Sequence, residues 1–171
     1  MSIRIVTDSG ADLESSEYSQ YRVELVPLGL TIDGRIYSAN QQFNKADFFR
    51  LLEAAKVFPK TSQPAPSEFE TLFEDARQKG DQVVYISIAS ALSGTYQTAT
   101  VVKGLGEYDN VFVVDSRTAT LCQKLLVLHA AKLRDEGKTA EQIVSALEQL
   151  RGRVRVYAGL DTLEYLRKGG R

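Results

Sequence analysis

Short apolar runs alternate with amphipathic stretches along the chain, and this alternation predicts strands separated by helices. Ile3-Arg4-Ile5-Val6 reads as a β-branched strand closed by the polar turn Thr7-Asp8-Ser9-Gly10-Ala11-Asp12. Val23 to Ile32 is an extended run bent by Pro27. Asp33-Gly34 is a hairpin signal that should fold Arg35-Ile36-Tyr37 back on Leu30-Thr31-Ile32. A helix is predicted from Asn44 to about Lys56, with Phe48, Leu51, Leu52 and Ala55 on one face. Ser67-Glu68-Phe69-Glu70 matches a capping box, and its helix should stop at Gly80. Val83 to Ile88 is a buried strand, followed by a helix from Gly94 to about Lys103 and a strand at Val111-Phe112-Val113-Val114.

A long helix follows over 119–136, with Leu121, Leu125 and Leu128 in one row and Leu126, Ala130 and Leu133 in the next. Gly137 ends it, and Thr139-Ala140-Glu141-Gln142 caps a helix to about Leu150. Val154 to Leu160 reads as a last strand, and Asp161-Thr162-Leu163-Glu164 caps a final short helix. The order predicts a three-layer α/β sandwich with a mostly parallel sheet and a small β-hairpin appendage.

The stretch Ser87-Ile88-Ala89-Ser90-Ala91-Leu92-Ser93-Gly94-Thr95 joins the most apolar strand to a helix N-terminus. The first N–H groups of a helix lack intrahelical partners, so such a turn can offer them to an anion together with the Ser93 and Thr95 hydroxyls. Capping of the helix by Ser93 is the simpler use of the same residue. Strand-end hydroxyls recur at Thr7, Ser9 and Ser116, which a parallel sheet would bring to one edge. Asp8 and Ser9 could serve a ligand there or hold their own loop through Asx and Ser turns. Thr61 and Ser62 are two more hydroxyls, on a loop stiffened by Pro59, Pro64 and Pro66.

Composition narrows the function by exclusion. The chain has 171 residues, 43% hydrophobic and 25% charged, as expected for one globular domain or slightly more. A net charge of −1 gives no general attraction to nucleic acid or to anionic membranes, and no run of 18 apolar residues suggests membrane insertion. With one cysteine, Cys122, there is no internal disulfide and no multi-cysteine metal site. The N-terminus lacks a signal-peptide layout, so a cytoplasmic location is expected. No phosphate-binding G-x-x-x-x-G-K-[ST], dinucleotide G-x-G-x-x-G, zinc H-E-x-x-H or nucleophile-elbow G-x-S-x-G pattern occurs. The single histidine, His129, sits mid-helix between Leu128 and Ala130, the setting of a packed or partly exposed helical histidine rather than a catalyst.

Four stretches together resemble the DegV family of bacterial fatty-acid-binding proteins. They are Val6-Thr7-Asp8-Ser9-Gly10-Ala11-Asp12-Leu13, Thr61-Ser62-Gln63-Pro64-Ala65-Pro66, Leu92-Ser93-Gly94-Thr95-Tyr96-Gln97-Thr98-Ala99, and the segment from Asp161 to Gly169-Gly170-Arg171. The resemblance implies that Thr61 and Ser93 hydrogen-bond the carboxylate of a long-chain fatty acid. Ser62, Gly94 and Thr95 would complete the loops around it, and Arg171 would lie near the head group. It implies no catalysis by this chain and no cofactor other than the bound acid. The partner would be an ATP-using fatty-acid kinase subunit to which the acid is presented for phosphorylation.

The resemblance also implies a division into a DegV-like α/β domain at 1–160 and the start of a connection to a second domain at 161–171. Family members continue for roughly another hundred residues, an ordinary domain size, so the sequence reads as a fragment or a naturally short form. Cys122 and Lys124 stand where the family usually has glycines. Burying about a dozen methylenes is worth roughly 10 kcal/mol gross, more than two or three bonds to a carboxylate at about 1.5–3 kcal/mol each. Without most of the tail wall, binding should weaken. The segment from Leu160 to Arg171, which leads toward the absent domain, should be mobile, displaced or covered by another copy of the chain, with dimerisation or a crystal contact through that apolar face as the expected rescue. The competing readings are a structural or interaction domain of the same fold that binds nothing, and a Ser93-dependent hydrolase.

Overall fold

The computed structural model describes residues 2–38 and 45–168. The chain divides into two compact units: residues up to Val26 with Gln63–Val156, and Pro27–Ser62 with the segment from Tyr157 onward. The first unit carries β1 (Ile3–Asp8), a 3-10 turn (Ser9–Ala11), α1 (Ser15–Gln20) and β2 (Val23–Val26). It continues with α3 (Pro66–Lys79), β6 (Gln82–Ser87), α4 (Thr95–Leu105), β7 (Val111–Asp115), α5 (Thr120–Asp135) and α6 (Ala140–Arg151). The second unit holds β3 (Gly29–Ile32), β4 (Arg35–Ser38), α2 (Lys45–Ala54), β5 (Lys60–Ser62) and α7 (Glu164–Lys168).

The four strands of the first unit form one parallel sheet in the order β2-β1-β6-β7. Parallel strands need crossovers, and the intervening helices supply them on both faces, so β6 at the centre is buried from Val83 to Ser87. Alternate residues of β6 serve opposite cores. Val84 and Ile86 pack with Ile5 and Val114 against Leu126, Val127 and Ala130 of α5 and Ile143 and Leu147 of α6. Val83 and Tyr85 pack with Val6 and Val111 against Phe69 and Phe73 of α3 and Ala99 and Val102 of α4. The Phe69 ring meets Tyr85 edge-on at 5.2 Å between centroids. This is the three-layer α/β arrangement expected from the sequence.

The second unit is built on an antiparallel sheet, β4-β3-β5. Its hairpin has the predicted register, Ile32 opposite Arg35 and Leu30 opposite Tyr37. Asp33 and Gly34 both have positive φ, 47° and 78°, the backbone twist that two-residue hairpin turns require. The Asp33 carboxylate accepts from the backbone N–H groups of Lys56 and Val57, which tie the end of α2 to the turn and hold its pKa below the usual carboxylate value.

Three local expectations change. Helix α3 begins at Pro66 with Ala65 at the cap, two residues earlier than the capping-box reading with Ser67 at the cap. Pro fits the first helical position because no N–H is needed there, and the Glu68 carboxylate accepts from Ala65 N–H at 3.1 Å. The stiff loop before it contains a short strand, β5, with Thr61 opposite Leu30. Residues 154–160 form no strand. Their β-branched residues favour extension, but strand propensity needs a ladder partner. Here the Arg155 guanidinium takes up the carbonyls of Gly152 and Val154, and Cys122 Sγ–H donates to the Arg155 carbonyl at 3.6 Å. The segment then leaves the first unit at Val156. In α5, the row of Leu126 and Ala130 is fully buried, whereas Leu121 and Leu125 are exposed.

The carboxyl ends of β1 and β6 are locked by a buried polar cluster. Asp8, with no exposed surface, accepts from Gly10 N–H at 3.0 Å, Ile88 N–H at 2.7 Å, Gln123 Nε2 at 3.0 Å and the Tyr85 hydroxyl at 3.1 Å. The Gln123 amide also donates to Thr7 Oγ1, which itself donates to the Ile86 carbonyl. Burial pushes the Asp8 carboxyl above its ordinary pKa, opposed by the four donors, and also raises Tyr85.

Asp8→Asn is expected to cost about 1–3 kcal/mol of unfolding free energy, because an amide cannot accept from all four donors. A raised folded pKa means that the folded chain keeps the Asp8 proton to higher pH than the unfolded one. The stability tied to this group is then fully present below the ordinary carboxylate value of about 4 and falls as pH rises through the folded pKa. Urea unfolding of both proteins between pH 4 and pH 7 should show the cost of the substitution shrinking as pH rises. A cost that grows with pH would mean that the donors outweigh burial.

Candidate functional site

The chain leaves β6 through a loop that ends at the N-terminus of α4, and the predicted residues Ser93, Gly94 and Thr95 occupy that junction. The loop starts under control of Asp8, whose carboxylate fixes Ile88 N–H. It then turns tightly, with the N–H groups of Leu92 and Ser93 both reaching the Ala89 carbonyl, at 2.9 and 3.2 Å. Gly94 forms the cap position, and its carbonyl accepts from Thr98 N–H at 2.9 Å.

The structure brings Ser93 and Thr95 together. Their hydroxyl oxygens are 2.8 Å apart, and Thr95 N–H points to Ser93 Oγ at 3.4 Å. Thr95 is fully buried whereas Ser93 is half-buried, so Ser93 is the member of the pair that reaches solvent. If Thr95 donates to Ser93, the Ser93 proton is left to donate outward. The first turn of α4 itself has no acidic side chain to offset the partial positive charge of its N-terminus. A hydroxyl donating outward beside a helix N-terminus suits an acceptor-only group such as a carboxylate.

Gly94 has a close neighbour that a larger residue would have to displace. A Cβ there would collide with Oε1 of the Gln63 side chain, which lies against the Gly94 backbone. Gln63 belongs to the Thr61–Pro66 stretch, and its packing on Gly94 could not be read from sequence because the two are 31 positions apart.

Thr61 and Ser62 lie on β5 of the other unit. Successive strand residues face opposite sides, so their hydroxyls do not share a face. The Ser62 hydroxyl lies over Gly29, directly opposite in the ladder, where a Cβ would strike it. Both residues are exposed. Arg171 lies outside the described residues.

The other strand-end hydroxyls point to structural work. Thr7 is buried and bonded to the Ile86 carbonyl, and Ser116 is buried and bonded to the Thr118 carbonyl. The Asp8 carboxylate closes an Asx turn on Gly10 N–H. Gln123 could have been suspected from sequence, since it lies three and seven positions before Leu126 and Ala130 on the buried side of α5. Lys124 pairs with Glu17 of α1 at 2.5 Å, both side chains mostly buried. Among the described residues no group of three or more His, Cys, Asp or Glu could hold a metal ion, and no helix is long and apolar enough to cross a membrane.

Comparison with known proteins gives one consistent result. A DegV domain-containing protein of Caldanaerobacter subterraneus subsp. tengcongensis is 38% identical over 169 residues, covering 99% of this chain and 60% of the relative. The solved structure of DegV, a fatty acid binding protein from Bacillus subtilis, superposes with a TM-score of 0.92 at 30% identity, covering 100% of this chain and 61% of that one. The fatty-acid-binding DegV family protein from Thermus thermophilus gives a TM-score of 0.86 at 33% identity, over 100% and 61%. The sequence thus spans about 60% of the length of the relatives it matches. The family model for DegV, described as uncharacterised proteins, matches residues 2–171, and the chain belongs to the DegV family.

Proposed function

We propose that the Ser93-Gly94-Thr95 turn binds the carboxylate of a long-chain fatty acid, and that the protein is a carrier which presents this head group to a separate ATP-using fatty-acid kinase subunit. The observation that carries the reading is the Ser93–Thr95 hydroxyl pair at the N-terminus of α4, with Thr95 buried behind and Ser93 in front. Support comes from the fatty acids bound by the family members from Thermus thermophilus and Bacillus subtilis.

Energetics assign separate tasks to the two ends of the ligand. Each charge-assisted bond to the carboxylate is worth about 1.5–3 kcal/mol, whereas each buried methylene gives about 0.8 kcal/mol. The turn therefore sets orientation and selects an acid, while the tail supplies most of the affinity. A stretch with about 60% of the relatives' length is expected to bind a long-chain acid more weakly than a full-length relative.

The hydrolase reading needs a base beside Ser93. The hydrogen-bond partners of Ser93 Oγ at this junction are the Thr95 hydroxyl and the Thr95 N–H, and neither takes a proton at neutral pH.

Two outcomes are expected. Ser93→Ala should weaken binding of a fluorescent long-chain acid about tenfold or more with little change in thermal unfolding, since one charge-assisted bond is lost. Unchanged affinity, measured by titration, would remove the turn from the site. A fluorophosphonate probe should leave Ser93 unlabelled over hours, and rapid labelling seen by intact-mass spectrometry would revive the hydrolase.

A further inference from the structure

The loop that ends in Ser93 is held from a second side by a residue with no part in the proposed contacts. Asp115 is the last residue of β7, in register with Ser87, the last residue of β6. Its carboxylate accepts from Ser90 Oγ at 2.6 Å, from Ser90 N–H at 3.1 Å and from Arg117 N–H at 2.9 Å. Two backbone bonds run alongside, Ala89 N–H to the Thr118 carbonyl at 2.8 Å and Ser116 N–H to the Ser87 carbonyl at 3.1 Å. The β7–α5 connection that carries these groups is itself constrained. Arg117 and Thr120 both hold φ of 54°, a left-handed backbone unusual for any side chain and most unusual for a β-branched one. Its buried hydroxyl, Ser116, bridges the same turn by accepting from Thr118 N–H and donating to the Thr118 carbonyl.

Beyond Ala89 the loop has little else to fix it. Ser90, Ala91, Leu92 and Gly94 are all exposed. The double contact from Asp115 to Ser90 is therefore placed three residues before Ser93, where the loop's other ties are its own turn and the Gln63 side chain against Gly94. We propose that Asp115 is a positioning residue for the carboxylate site, acting through Ser90 to set the place and direction of the Ser93 hydroxyl. The inference rests on the reading of the Ser93 turn as the head-group site.

The test compares a long-chain acid with the alcohol of the same length, because only the acid draws on charge-assisted bonds at the turn. The readout is the ratio of their affinities in the wild type, Ser93→Ala, Ser90→Ala, Ser90→Thr and Asp115→Asn, each with its thermal unfolding curve. Ser90→Ala and Asp115→Asn should each lower the acid preference about tenfold while leaving alcohol affinity unchanged, and Ser90→Thr, which keeps the hydroxyl, should restore it. The double variant should be no worse than the more severe single one, since the two residues form one contact. Ser90 is exposed, so its variants should fold even if Asp115→Asn does not. An acid preference lost in Ser93→Ala but kept in Ser90→Ala would overturn the positioning role alone. A preference absent in the wild type, or kept in all variants, would overturn the reading of the turn and the positioning role with it.

Discussion

A carboxylate without water must find its donors within the fold, and Asp8 finds four. One of them, Ile88 N–H, is the first backbone donor beyond β6. Satisfying Asp8 therefore fixes the direction in which the chain leaves the central strand. Leaving that donor set incomplete would cost about 1–3 kcal/mol, so the exit of β6 is firmly held within the first unit. Everything proposed for Ser93 depends on it, because the hydroxyl is carried five residues further along the same loop.

The flanking strands divide the work. β1 supplies Asp8 from one side of β6 and β7 supplies Asp115 from the other, each as the final residue of its strand. Parallel pairing makes this arrangement available, since it brings all the strand-end polar residues to one edge. The two carboxylates differ in setting. Asp8 is buried and joins the core to the loop, whereas Asp115 is only partly covered and meets an exposed serine. Removing the first should disturb the fold, and removing the second should mainly disturb where the loop lies.

Much of the fold was legible because its signals are local. The register of the β3–β4 hairpin follows from Asp33-Gly34, and the Thr139 cap from the box with Gln142. The failures are places where a local preference meets a non-local condition. Residues 154–160 have β-branched side chains but no ladder partner, and the carbonyls of Val154 and Arg155 are taken by the Arg155 guanidinium and Cys122. Lys60–Ser62, flanked by prolines, becomes a strand because β3 lies beside it. At the candidate site, Ser93 and Thr95 were legible as neighbours in a strand-to-helix turn. The supports at Asp115 and Gln63 were not, because each acts on a residue 25 or more positions away.

The hydroxyl pair also bears on which head group the turn should prefer. A hydroxyl that accepts one bond and donates another transmits polarity in a single direction. With Thr95 buried behind it, the outward end of the pair is a donor when Thr95 donates to Ser93. An ionised carboxylate makes full use of such a donor beside a helix N-terminus, with bonds roughly twice as strong as neutral ones. An ester or alcohol forfeits the charge and keeps only a bond of about 1 kcal/mol. The tail contributes equally for all three. Selection between them therefore falls to the few atoms around Ser93, and their discrimination depends on how firmly the loop is held when the ligand arrives. A loosely held loop would pay an ordering cost for every ligand alike and would lose directional preference for the acid. Rigid support from both neighbouring strands is the physical condition under which so small a contact surface can distinguish an acid from its neutral analogues.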